Sequence, residues 1–135
     1  MASKDEIAAF IASEFPQTKV QVLEAGGMAA KVRHEVGLDE LRPGGTVAGP
    51  TMMATADVAL YVAILSEIGI VPMCVTTSLS FNFMRRPPAD RNIIGDCRLL
   101  KLGRSLAVGE VWLYSEGIDD PVAHAVGTYA IPPKR

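Results

Sequence analysis

Asp57 is the only charged residue between Arg42 and Glu67, in a stretch that is otherwise almost wholly apolar. An unpartnered carboxylate in such surroundings is strongly disfavoured unless it takes up a proton. Aspartate is also a poor helix-interior residue, because its side chain competes for backbone hydrogen bonds. Two readings fit the residue. It is an acid–base or nucleophilic carboxylate, or it is a buried aspartate satisfied locally by a hydroxyl such as that of Thr55 or Tyr61. Just upstream, Gly45-Thr46-Val47-Ala48-Gly49-Pro50 brings flexible backbone to a helix start. The first N–H groups of a helix have no intrahelical acceptor, and the dipole there favours negative charge. Pro50 has no N–H, but Gly49 keeps its own. An amide aimed outward at Gly49 can polarise a carbonyl and hold an oxyanion. The plainer reading is a glycine-rich loop leading into a proline helix start.

These two features need elements to hold them. Ser3-Lys4-Asp5-Glu6 is a capping box that opens a first helix, with Ile7, Phe10 and Ile11 on one stripe and Pro16 as its stop. Val20 to Glu24 and Ala30 to Glu35 alternate as strands around a Gly26-Gly27 turn. Residues 37–48 hold Pro43, Gly44 and Gly45 and read as a loop. A second helix runs from Pro50 to about Glu67. Met52, Met53, Ala56, Ala59, Leu60, Ala63 and Ile64 leave it almost no polar face, so it is expected to be enclosed. Four strands follow: Val75 to Met84, Asn92 to Leu102, Ser105 to Ser115 and Val122 to Ile131. Tight turns between long strands predict antiparallel neighbours. The fold class is α+β, an antiparallel sheet wrapped around a long central helix.

The chain has 135 residues, a formal net charge of −2 and 49% apolar residues, which makes it one domain over 1–135 and excludes a disordered chain. Without a basic excess, nucleic acid is not an expected partner. A mean hydropathy of +0.24 is high for a small domain. With a sheet edge to cover, it predicts a homo-oligomer, a dimer of dimers. The long apolar run from Val47 to Leu65 is interrupted by Gly49, Pro50 and Asp57. It lacks flanking basic clusters, so a buried helix is expected rather than a membrane span. Met1 to Glu6 carries no secretory pattern, which makes the cytoplasm the expected compartment. Cys74 and Cys97 have no metal spacing and are expected to be small buried hydrophobes. His34 and His124 have no partner spacing, so no metal is expected.

In order and spacing, several segments resemble the PaaI-like acyl-CoA thioesterases of hotdog fold. They are Gly45-Thr46-Val47-x-Gly49, Asp57, Val75 to Arg85, Lys101-Leu102-Gly103-Arg104-Ser105 and Val122 to Tyr129. The resemblance covers roughly residues 15 to 131. It implies hydrolysis of an acyl-CoA, with coenzyme A as part of the substrate and no separate cofactor. Asp57 would act as general base or nucleophile and the Gly49 N–H as oxyanion donor. It further implies a site between two subunits, the acid coming from one and strand residues Thr76 to Phe83 of the other lining the pocket. Thr76, Asn82, Phe83, Arg85, Gly103 and Arg104 would be substrate-binding, the basic residues meeting the phosphates of coenzyme A. Three positions depart from the family pattern: Arg42 stands for its Asn, Ala48 for its His and Pro50 for its second Gly. Those departures support an alternative, a non-catalytic or weakly active hotdog protein that binds acyl-CoA.

Overall fold

A computed structural model describes residues 1–133 of the chain. The expected domain of 1–135 also includes Lys134 and Arg135, which lie outside the described residues. Helix α1 (Lys4–Glu14) begins with the expected capping box: the Glu6 N–H donates to Ser3 Oγ and the Ser3 N–H to Glu6 Oε1, both at 3.1 Å. Strands β1 (Val20–Gly26) and β2 (Ala29–His34) form a hairpin. The expected loop contains more structure than its Gly and Pro content predicts. A 3-10 turn (Leu38–Glu40) leads into a minimal hairpin of β3 (Leu41–Arg42) and β4 (Thr46–Val47). Gly44 and Gly45, at φ 102° and 77°, make its tip, where a side chain would be strained.

Helix α2 (Gly49–Ile68) follows, then β5 (Val75–Phe83), β6 (Ile93–Leu102), β7 (Leu106–Ser115) and β8 (Ala123–Ala130). The main sheet is antiparallel throughout, in the order β1-β2-β6-β7-β8-β5, so β1 and β5 are its edges. One sequence expectation fails here. β5 and β6 follow each other in the chain but are not neighbours; β5 pairs with β8. The segment between them carries Pro87 and Pro88 and cannot close a tight hairpin. It runs back to the loop before α2, where the Val47 N–H donates to Pro87 O at 3.1 Å.

By length and composition α2 could cross a membrane, but 67% of its most apolar stretch is buried inside this fold. Its close approach to the sheet depends on two glycines that face each other across β7 and β8, Gly109 and Gly127. A Cβ on Gly109 would lie 2.6 Å from one Leu60 methyl, and a Cβ on Gly127 2.5 Å from the other. Leu60 is 1% exposed, and full burial of such a side chain contributes about 1.5–3 kcal/mol. The helix is not enclosed all round, as its composition predicts. Met53 is 42% exposed, Ala54 is exposed and Asp57 and Tyr61 are half-buried. At helical spacing these positions form one uncovered stripe leading away from Gly49. Cys74 and Cys97 are buried free thiols.

Candidate active site

Asp57 lines an open cavity of roughly 480 Å³ together with Phe10 and Glu14 of α1, Tyr61 of α2, Cys74, Thr76 and Tyr129. Its Oδ1 accepts two hydroxyl hydrogen bonds, from Thr76 Oγ1 at 2.5 Å and from Tyr129 Oη at 2.8 Å. Neither of the local hydroxyls is its partner. Thr55 Oγ1 donates to Thr51 O at 2.8 Å, and Tyr61 Oη donates to Pro72 O at 3.0 Å. The carboxylate is therefore held from the sheet rather than from its own helix.

A β-bulge makes this possible. Leu79, Phe81 and Phe83 pair with Gly127, Ala125 and Ala123 on the face of the sheet that meets α2. Strict alternation back along β5 would put Thr77 on that face too. The register instead passes from Ser78↔Thr128 to Thr76↔Tyr129, with Thr77 as the extra residue. This turns Thr76 inward, opposite Tyr129, so both hydroxyls reach Asp57. Tyr129 is 3% exposed. Burial, with the nearby Asp57 charge second, pushes its phenol far above the ordinary value, so it remains a donor.

Gly49 belongs to a different place. It is the first residue of α2, and its N–H finds no acceptor among the described residues, whereas the Thr51 N–H donates to Ala48 O at 3.1 Å. Glu40 holds the approach to this amide. Its carbonyl accepts the Ala48 N–H at 2.8 Å and Thr51 Oγ1 at 3.3 Å. Its carboxylate accepts the Gly37 N–H at 2.7 Å and Lys19 Nζ at 2.8 Å. Burial opposes charge on Glu40, but the Lys19 ammonium and the Gly37 amide outweigh it and hold the carboxyl below its usual range. The Phe83 ring covers Gly49: a Cβ there would lie 3.4 Å from Phe83 Cζ. Phe83 stacks on Phe81 at 5.0 Å between ring centroids and is 51% exposed.

The remaining residues singled out from the sequence do not gather around Asp57 within one chain. Asn82 is exposed and pairs with His124 on the sheet face turned away from α2. Arg85, just past β5, donates from Nη1 to Pro121 O at 2.7 Å. Gly103 and Arg104 line a second cavity of roughly 1090 Å³ with Glu67, Ile68 and Val71 at the far end of α2. Arg104 thus lies at the end of the sheet where β5 begins, and Arg85 at the end where it finishes. Tyr129 is the residue that sequence reasoning missed. Its signal lies in β8, where Ala123, Ala125, Gly127 and Tyr129 share one face and only the last is large.

Residues 44–122 match the family model of the thioesterase superfamily. Among solved structures, a thioesterase candidate from a Silicibacter species is 44% identical, with a TM-score of 0.89 over 97% of this chain and 92% of that one. A point mutant of the phenylacetic acid degradation protein PaaI from Thermus thermophilus is 26% identical, with a TM-score of 0.74 over 92% of this chain and 99% of that one. Zebrafish thioesterase superfamily member 2 shares the fold at 21% identity, with a TM-score of 0.84 over 98% and 100%. A sequence search among curated proteins gives no significant match.

Proposed function

Because the chain belongs to the thioesterase superfamily and has the PaaI-like hotdog fold, we propose that it hydrolyses an acyl-CoA to the free acid and coenzyme A. The observation that carries this reading is Asp57: a carboxylate on the core helix, lining an open cavity and held by hydroxyls from two strands. As general base, Asp57 takes a proton from water while the water oxygen bonds to the thioester carbonyl carbon. The C–S bond then breaks, and the departing thiolate takes up the proton. As nucleophile, Asp57 instead bonds to the carbonyl carbon as the C–S bond breaks and the thiolate leaves. Water then cleaves the mixed anhydride to the free acid and the regenerated Asp57 carboxylate, and the thiolate takes up the released proton. In either route the carbonyl oxygen becomes an oxyanion, and the unpaired Gly49 N–H is the donor available to hold it.

A homodimer completes this site. Along one helix Gly49 and Asp57 are separated by about 12 Å, too far to act on one carbonyl. β5 is an edge strand, and Val75, Phe83 and Met84 at its ends are exposed. A second copy laid antiparallel along β5 brings its own Gly49–Phe83 end beside Asp57 and Thr76 of the first. The same operation carries the partner's Arg85 toward Arg104 of the first copy, gathering two guanidinium groups for the phosphates of coenzyme A.

The replacement of the family's Asn and His by Arg42 and Ala48 favours a second reading, a binding protein without efficient turnover. Release of free thiol from a panel of aliphatic and aromatic acyl-CoAs, assayed on wild type and on Asp57→Asn, separates the two. A rate drop of about 10²–10⁴-fold in the variant is expected for a catalytic carboxylate. Equal rates on every substrate would establish the binding reading.

A further inference from the structure

The two hydroxyls on Asp57 converge on the same oxygen. Thr76 Oγ1 and Tyr129 Oη both donate to Oδ1, whereas Oδ2 has no hydrogen-bond partner among the described residues. Tyr129 Oη also lies 2.9 Å from the main-chain oxygen of Asp57, so its single proton is shared between the side chain and the helix backbone at one residue. The phenol is fixed in turn. Its ring is 3% exposed and packs on Tyr61 at 6.2 Å between centroids, and Tyr61 packs on Phe10 at 6.3 Å. A carboxylate pinned through one oxygen has a defined rotamer and a defined reactive edge. Tyr129 lies beyond residues 44–122, the part of the chain that matches the family model.

We propose that Tyr129 is a positioning residue that, together with Thr76, locks Asp57 through Oδ1 so that Oδ2 is the oxygen that accepts the proton of water or attacks the thioester. This rests on the thioesterase reading of Asp57. Tyr129 acts by orienting the carboxylate: with Oδ1 occupied by two donors, Oδ2 is the oxygen left to meet water or the thioester. Loss of either donor frees the carboxylate to rotate, which slows the chemical step without changing what binds the substrate. Glu14 from α1 is the other carboxylate that lines the cavity, and Glu14→Gln serves as the control.

The test is kcat and KM, determined separately, for acyl-CoA hydrolysis by wild type, Tyr129→Phe, Thr76→Val, Thr76→Ser and Glu14→Gln. Tyr129→Phe is expected to lower kcat about tenfold or more and leave KM within about threefold. Thr76→Val is expected to lower kcat in the same way, Thr76→Ser, which keeps the hydroxyl, to restore it, and Glu14→Gln to leave both constants near wild type. A purely structural Tyr129 would lower thermal stability without lowering kcat of the folded protein, and that result overturns the proposal. If Tyr129→Phe does not fold, the two Thr76 variants decide, because Thr76 is exposed and its loss opens no core cavity. Equal kcat for Thr76→Val and wild type overturns the proposal as well. Failure of the underlying reading looks different: Asp57→Asn would then hydrolyse as fast as wild type. Loss of activity in Asp57→Asn with unchanged kcat in the other variants rejects this inference alone.

Discussion

Gly49 and Asp57 lie on the same helix, eight residues and about 12 Å apart; Asp57 lines an open cavity, whereas Gly49 lies outside that cavity and against the Phe83 ring. On the proposed mechanism, one chain therefore holds the oxyanion donor and the carboxylate for water at places that cannot meet on one substrate. Sedimentation is expected to give twice the 14.4 kDa chain mass or a higher multiple at micromolar concentration. Phe83→Asp is expected to shift the population toward monomer and to depress thioester hydrolysis with it, since it puts a charge at the end of the free edge and beside Gly49. A wild type that is monomeric and fully active would reject the two-chain site.

Glu40 is placed to tie acid stability to the loop that presents the Gly49 amide. Its carboxyl titrates below 4.5 in the folded chain and near that value when unfolded. Its contribution is thus fully present above about pH 5 and is lost as pH falls through the folded value. Glu40→Gln is expected to lower unfolding free energy by about 1–2 kcal/mol near neutrality, since Lys19 is partly exposed and its attraction is screened. Denaturant melts at pH 7 and pH 3 are expected to show the gap between wild type and variant closing at the lower pH. A gap that stays constant would detach the charge of Glu40 from its role.

Leu60 is expected to make Gly127 intolerant of even one carbon. Gly127→Ala brings a methyl against Leu60 and within 3.0 Å of Leu79 Cδ1. Overpacking of this kind costs about 1–3 kcal/mol. In a Leu60→Val background the same substitution is expected to cost measurably less, because the colliding methyl is withdrawn. Thermal melts of the four proteins at one fixed concentration test this, and strict additivity would show that the contact is not the cause.

The cysteines are expected to be silent in the native protein. Burial, with Asp96 and Glu110 second, pushes the Cys97 thiol up to about 12, and burial raises Cys74 as well. A thiol reagent at pH 8 should find no rapidly reacting group until denaturant is added, so thiol release from acyl-CoA can be followed without background. Rapid labelling of the folded protein would show that one of the two is accessible.

Much of this arrangement is legible in the residues. The Ser3 capping box, the apolar length of α2 and the alternation of β6, β7 and β8 are local signals, and the elements appear where those signals put them. Asp57 stands out because a lone charge on an apolar helix is a local anomaly. What surrounds it is not local. Thr76 is 19 residues away and Tyr129 is 72, whereas the local hydroxyls of Thr55 and Tyr61 are turned to backbone carbonyls. The position of β5 beside β8 depends on competition among strand pairings over the whole chain. The extra residue at Thr77 is visible only once that pairing is known, and without it the inward hydroxyl would be assigned to the wrong threonine.

That bulge has a counterpart on the other edge of the sheet. In β1 the register slips between Val22 and Glu24, leaving Leu23 unmatched. Each free edge of the six-stranded sheet therefore carries one irregularity, and neither offers a long flat row of amides and carbonyls. Open-ended strand addition, the route by which apolar sheets aggregate, needs such a row. On β5 the uninterrupted stretch is confined to Ser78–Phe83, enough to receive one strand in a restricted set of registers. The residue that aims Thr76 at the carboxylate thus also limits how far the sheet can grow, and favours closed assembly over fibre formation.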